Sequence, residues 1–166
     1  QLLRLPQEDY QFDHPRIKAV FAINPFTSRI FGEEGIQGID IPTLLVTSSA
    51  DTATPALPEQ IRPFTWLDSS QKYLVLLKRG THFSTLAEGT EEGIPLPEEA
   101  IGPEPAIAQN YIRALSIAFF KTHLPNEITY EPYLSARYIS EISRSPMPLF
   151  LLDSLPDELR NNLLEE

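Results

Sequence analysis

The sequence predicts an α/β protein built on a parallel sheet, and three observations support this fold class. Three short runs are apolar almost throughout, which is typical of strands that are buried on both faces of a parallel sheet. Helical patterns and turn signals separate these runs, as expected for crossover connections between parallel strands. A chain of 166 residues, 42% of them hydrophobic, is long enough to bury one such core.

The three runs define about three parallel strands. The first covers residues 17–23 and ends at the turn signal Asn24-Pro25. The second and third are predicted over residues 43–47 and 74–77. Because crossover connections make the strands parallel, all three carboxyl ends should lie at one edge of the sheet.

Helices and loops are predicted around these strands. Residues 26–40 contain three glycines, which favours a loop or a short helix, and Pro58 opens a short helix that reaches Arg62. Residues 83–106 combine seven glycines and prolines with six glutamates, which indicates an acidic loop without regular structure. The strongest helical pattern covers residues 107–123, where apolar residues recur at spacings of three and four.

The C-terminal residues 125–166 are predicted to be a helical extension of an α/β domain that spans residues 1–124. Pro125 ends the preceding helix. An amphipathic helix is expected over residues 133–142, and a final helix over residues 156–164 begins with two acidic residues that suit the helix dipole.

Composition argues against several classes of function. A net charge of -10 disfavours nucleic acid or an anionic membrane as the main partner, because both require clustered Lys and Arg. Without cysteine there is no thiol nucleophile and no Cys-based metal site. No apolar stretch approaches the roughly 18 residues of a transmembrane helix. The three histidines are dispersed and no phosphate-binding glycine loop occurs, so neither a metal nor a cofactor is predicted.

Asp51 and His82 are the candidate catalytic residues. Each follows a predicted strand, the second and the third respectively, just beyond its carboxyl end. Polar residues at these positions of an open parallel sheet converge on one crevice. An aspartate and a histidine together form two members of a Ser-His-Asp triad, in which the carboxylate orients the imidazole and the imidazole moves the proton of the serine.

Structural alternatives exist for both residues. Asp51 could be a turn aspartate that binds its own backbone, and His82 could be a partly buried histidine bound to backbone. The other titratable candidates are weaker. His14 and Asp68 precede strands and so lie at the wrong edge of the sheet, and His123 ends a helix, where a structural role is expected.

Three segments, taken together, resemble the α/β-hydrolase superfamily. The sequence is similar to the branch of dienelactone hydrolase and the platelet-activating-factor acetylhydrolases, and the resemblance covers residues 13–124. It is carried by the order and spacing of residues 13–25 (DHPRIKAVFAINP), 49–55 (SADTATP) and 80–84 (GTHFS).

The resemblance implies a specific role for each segment. The chain would be the C-terminal part of an α/β-hydrolase fold, and its three strands would be the last three of the hydrolase sheet. Asp51 would be the acid of the triad and His82 its base, and residues 107–123 would form the closing helix.

The sequence departs from the family at the nucleophile. An α/β-hydrolase carries its serine in a G-x-S-x-G elbow ahead of the acid and the histidine, and none of the seven glycines here has a serine two positions later. We therefore interpret the chain as the C-terminal portion of a longer serine hydrolase that cleaves carboxylic esters through an acyl-enzyme. On this interpretation the chain alone is inactive, and the open edge of its first strand favours association into an oligomer.

The acidic segment that follows His82 indicates the kind of substrate. Six glutamates close to the base would repel phosphate and carboxylate groups, which favours a neutral small-molecule ester, although the same segment fits a mobile solvated loop. The alternative function is a non-catalytic, α/β-hydrolase-like interaction domain. The apolar residues that could line an acyl pocket, or pack beneath a lid, are Phe26, Ile30, Phe31, Phe64 and Trp66.

Overall fold

The protein contains a four-stranded sheet whose strand order follows the sequence. The computed structural model describes residues 14–86, 98–125 and 127–165. The strands are β1 (Val20–Ile23), β2 (Thr43–Ser48), β3 (Lys72–Leu77) and β4 (Leu149–Leu152). The first three are mutually parallel, as predicted, and β4 runs antiparallel to β3.

The central strand β2 explains why the predicted strands are apolar without alternation. All six of its residues are buried, because both faces of the sheet are covered. Leu44 and Val46 face one hydrophobic cluster, and Leu45 faces another on the opposite side of the sheet. The sheet is therefore the middle layer of three.

Strand β4 is the main difference from the sequence prediction, which made residues 125–166 a helical extension. Leu149 and Leu151 are buried, whereas Phe150 and Leu152 are exposed. Because the exposed residues are apolar too, the sequence shows no alternation that would reveal a half-buried edge strand. This C-terminal segment therefore contributes a strand to the sheet as well as helices.

The remaining elements are helical. No helix within the described ranges is both long enough and apolar enough to cross a membrane. The helices are α1 (Ser28–Gln37), a π-helical turn (Leu57–Ile61) that leads into α2 (Arg62–Trp66), α3 (Glu98–Ile101), α4 (Pro105–His123), a 3-10 helix (Ile128–Leu134), α5 (Ala136–Ile142) and α6 (Asp157–Glu165).

Two predictions about these helices need comment. Residues 26–40 were predicted to be a loop or a short helix, and α1 is a short helix interrupted at Gly32, whose φ of 65° lies in the left-handed region that glycine favours. The acidic segment 83–106 was predicted to lack regular structure, but its end forms the single turn α3. Residues 87–97 of that segment lie outside the described residues.

Helix α4 covers one face of the sheet, as its pattern predicts. Leu115 and Phe119 are almost fully buried, and they belong to the same cluster as Val75 and Leu77 of β3. Helices α1 and α2 cover the other face, where Phe64 is only 1% exposed. The apolar stripe of α4 is thus the largest helical contribution to the core.

A pair of substitutions on α4 tests this packing. Leu115 is 1% exposed and Ile117 is 52% exposed. We expect Leu115→Ala to lower the free energy of unfolding by about 2 to 5 kcal/mol, because it leaves a cavity in the core. We expect Ile117→Ala to change it by less than about 0.5 kcal/mol. Urea denaturation followed by circular dichroism measures both, and equal effects of the two substitutions would contradict the assigned orientation of α4.

Candidate active site

Asp51 and His82 meet at the carboxyl edge of the sheet. The parallel register of β2 and β3 pairs Ser48 with Leu77, and each candidate lies a few residues beyond that pair. Asp51 Oδ2 and His82 Nδ1 are 2.8 Å apart, which is hydrogen-bond distance. The structure therefore brings together the two residues that the sequence places after separate strands.

The turn that follows β3 allows this approach. Arg79 has a φ of 66°, in the left-handed region, and reverses the chain before Gly80. A Cβ at Gly80 would lie 2.9 Å from a Leu77 methyl group and 3.0 Å from the hydroxyl of Ser48, so only glycine fits without movement of its neighbours. The Gly80 carbonyl then accepts a hydrogen bond from the Ala50 N–H, which joins the two strand ends.

The Asp51 carboxylate is held by donors on both oxygens. Oδ1 accepts hydrogen bonds from the backbone N–H groups of Ala53 and Thr54, each at 2.8 Å. Oδ2 accepts one from the Thr54 hydroxyl at 2.7 Å in addition to its contact with His82. The alternative of a turn aspartate that binds its own backbone is thus also present, and it coexists with the His82 contact.

These contacts keep Asp51 ionised although its side chain is fully buried. Burial is the largest single influence and raises the pKa of Asp51. The hydrogen bonds from Thr54 and His82 and the attraction of His82 together outweigh it, so that the pKa lies below the ordinary value of 3.8. At neutral pH the group is a carboxylate able to stabilise a neighbouring imidazolium.

The two ring nitrogens of His82 differ: Nδ1 contacts Asp51, and Nε2 has no partner within the described part of the chain. Since an ionised carboxylate can only accept, Nδ1 carries the proton, and Nε2 of the neutral ring is then an acceptor. Nε2 has no hydrogen-bond partner among the residues that the structure describes, and 29% of the side chain is exposed. The edge-on Phe83 ring, 5.1 Å away between centroids, flanks the imidazole. This arrangement suits a general base.

Asn24 and Thr54 connect the pair to β1, and the sequence analysis missed both. Asn24, whose φ is 46°, donates from its side-chain amide to the carbonyls of Thr81 and His82, each at 3.4 Å. The backbone carbonyl of Asn24 accepts a hydrogen bond from the Thr54 hydroxyl at 3.1 Å. The only sequence signal was an Asn before Pro at a strand end, since Asn tolerates a positive φ.

Two further buried polar side chains, those of Gln60 and Glu59, make hydrogen bonds at the same carboxyl edge of the sheet. Gln60, in the π-helical turn, accepts a hydrogen bond from the Thr47 hydroxyl at 2.8 Å and donates to the Pro25 carbonyl at 2.6 Å. Its neighbour Glu59 is fully buried, accepts from the Thr27 N–H at 3.0 Å and forms an ion pair with Arg29. These contacts fix the segment after β1 against the turn after β2.

The weaker candidates do not join the pair. His14 and Asp68 are exposed and precede β1 and β3, at the opposite edge of the sheet. His123 packs against the rings of Tyr73 and Phe119, and burial lowers its pKa while nearby Glu131 opposes that effect. Within the described ranges, no three His, Asp or Glu side chains lie close enough together to hold a metal ion.

The residues expected to shape substrate choice fall into separate groups. Phe64 belongs to the hydrophobic core, and the partly buried Trp66 packs against it. Phe26, Ile30 and Phe31 are exposed, by 41%, 64% and 57%. Of the six glutamates, Glu104 is exposed next to α4. Glu98 and Glu99 begin α3 and nothing is described of their side chains, and Glu88, Glu91 and Glu92 lie outside the described residues.

The sequence matches no protein-family model and no curated protein. An open, mostly parallel α/β sheet supports many unrelated functions, so the fold alone does not identify an activity. Inference about function therefore rests on the geometry around Asp51 and His82.

Acid denaturation tests the state of Asp51. Because its pKa is depressed in the folded protein, the ionised group stabilises the fold above about pH 3.8, and this contribution disappears as the pH falls through the folded-state pKa. We expect the difference in unfolding free energy between wild type and Asp51→Asn to shrink between pH 5 and pH 3. Urea denaturation at each pH measures it.

The exposed Asp40 provides a matched control for this experiment. We expect Asp40→Asn to leave the acid dependence of stability as it is in wild type. An Asp51→Asn protein with the same acid dependence as wild type would contradict the buried, ionised state assigned to Asp51.

Proposed function

We propose that Asp51 and His82 are the acid and the general base of a serine hydrolase that cleaves carboxylic esters through an acyl-enzyme. One observation carries the proposal: a buried, ionised carboxylate lies 2.8 Å from Nδ1 of a partly exposed histidine. The resemblance to the α/β-hydrolase superfamily supports it through the order in which the acid and the histidine follow their strands.

The chemistry follows from the two ring nitrogens. Nε2 of His82 accepts the proton of a serine hydroxyl as the serine oxygen attacks the ester carbonyl, and the resulting imidazolium is stabilised by Asp51. Nε2 then returns that proton to the leaving alcohol, and an acyl-enzyme remains. Water repeats the sequence: His82 takes its proton, the acid is released, and the proton returns to the serine.

On this proposal the nucleophilic serine is supplied by polypeptide other than these 166 residues. The sequence contains no G-x-S-x-G elbow. The buried hydroxyl of Ser84, the serine nearest to His82 in sequence, donates to the Ile101 carbonyl at 2.7 Å and accepts from the Thr81 N–H. Ser84 is thus a structural residue of the loop, and we expect the isolated chain to be inactive.

A neutral ester is the proposed substrate. The segment 83–106, which follows the base directly, contains six glutamates and neither lysine nor arginine. Its charge disfavours the approach of phosphate or carboxylate groups. The missing elbow favours one other function, a non-catalytic α/β interaction domain, and the experiment below separates the two.

The test uses the complete gene product and a fluorophosphonate probe, which labels activated serines. We expect the wild type to be labelled and His82→Ala to react at least about 100-fold more slowly, since general-base catalysis typically supplies that much. His14→Ala is the matched control, because His14 is exposed and precedes β1 at the other edge of the sheet. It should react like wild type.

Two results would overturn the proposal. One is unchanged labelling in His82→Ala. The other is a folded wild-type protein that the probe does not label, which would favour the non-catalytic domain.

A further inference from the structure

Thr54 binds both oxygens of the Asp51 carboxylate and also contacts the histidine. Its backbone N–H donates to Oδ1 at 2.8 Å and its hydroxyl to Oδ2 at 2.7 Å. The same hydroxyl oxygen is 3.2 Å from His82 Nδ1. Thr54 is fully buried, so no solvent competes for these contacts. The contacts with Asp51 help to keep the carboxylate ionised, but they do not explain why the same hydroxyl also lies against His82 Nδ1.

The hydroxyl has one proton and two acceptors. Asp51 Oδ2 is the nearer at 2.7 Å, and the Asn24 carbonyl lies 3.1 Å away. A charged acceptor at the shorter distance is preferred, so the proton points to Oδ2 while His82 is neutral. Oδ2 then accepts hydrogen bonds from both the Thr54 hydroxyl and the His82 Nδ1–H, and each of these hydrogen bonds weakens the other.

The backbone carbonyl of Asn24 is a second acceptor to which the Thr54 hydroxyl can turn. When His82 gains a proton, the Thr54 proton can turn to Asn24 without being left unpaired in a buried site. Oδ2 is then free to bind the imidazolium alone, and the Thr54 oxygen, 3.2 Å from Nδ1, becomes a further acceptor for the Nδ1–H. This switch involves rotation of one O–H bond and no heavy-atom movement.

We propose that Thr54 is a positioning residue for His82, whose hydroxyl shares Asp51 Oδ2 with the imidazole and so sets how strongly the carboxylate holds the ring. The importance of this role for catalysis rests on the function proposed above. The hydrogen-bond geometry itself does not, so it can be tested without any activity.

Two substitutions separate the hydroxyl from the shape of the side chain. Thr54→Val keeps the shape and removes the hydroxyl, whereas Thr54→Ser keeps the hydroxyl and removes a methyl group. A packing role predicts that Ser disturbs the site more than Val does. The proposed role predicts the reverse. Thr122→Val is the matched control, because the Thr122 hydroxyl is also buried but binds the Ala118 carbonyl in α4.

The first measurement is proton NMR of the complete gene product at neutral pH, with the His82 Nδ1–H resonance assigned by its loss in His82→Ala. Without the competing hydroxyl, the Asp51–His82 hydrogen bond becomes stronger. We expect the resonance to move downfield in Thr54→Val, and to stay at its wild-type position in Thr54→Ser and in Thr122→Val. An unmoved resonance in Thr54→Val, or an equal shift in Thr54→Ser, would overturn the proposal.

The second measurement is the pH profile of fluorophosphonate labelling. In wild type, protonation of His82 makes the Thr54 hydroxyl exchange its charged acceptor, Asp51 Oδ2, for the neutral backbone carbonyl of Asn24. Thr54→Val does not have this cost, so the pH of half-maximal labelling should rise in it by about half a unit or more. It should stay in place in Thr54→Ser. If the folded wild type is not labelled at all, the proposed function fails, while the NMR result still decides the role of the hydroxyl.

A folding failure of Thr54→Val would not prevent the test. Thr54→Ala and Thr54→Ser then replace it, since both lose the methyl group and only Ser retains the hydroxyl. A wild-type resonance in Ser together with a shifted one in Ala supports the proposal. Identical behaviour of the two overturns it.

Discussion

The parallel pairing of β2 with β3 is the constraint on which the candidate site depends. Six residues of each strand pair in register, and the site begins directly beyond the last pair, Ser48 and Leu77. Both strands carry apolar side chains into clusters on opposite faces of the sheet. A slip by one residue would move Leu44 and Val46 out of one cluster and Leu45 out of the other, so packing on both faces favours the observed register and, with it, the meeting of Asp51 and His82.

Burial of Asp51 is compatible with its charge only because the surrounding chain supplies donors. Desolvation of an unpaired carboxylate costs several kcal/mol, and here four donors from three residues offset it: two backbone N–H groups, the Thr54 hydroxyl and the His82 ring. Asn24 extends the network to β1. The ends of three neighbouring strands are therefore tied together by polar contacts around one negative charge.

The sequence was sufficient for the features that a local pattern encodes. The continuous apolar runs predicted β1, β2 and β3, the helical spacing predicted α4, and the strand ends predicted that Asp51 and His82 would converge. It was insufficient where the role of a residue depends on distant segments. Thr54 acts by touching residues 30 positions before it and 28 after it. Strand β4 was missed because its exposed side chains are apolar and hide the alternation.

The distribution of exposure over Asp51 and His82 fits the proposed proton-transfer site. Among the residues that the structure describes, the His82 ring is bound through Nδ1 alone, and its side chain is 29% exposed, whereas the Asp51 side chain is fully buried. In the proposed mechanism Asp51 stays ionised and is shielded from water, and His82 exchanges protons and reaches the surface. A nucleophile bound at Nε2 would complete the arrangement without any change in the contacts that hold Nδ1.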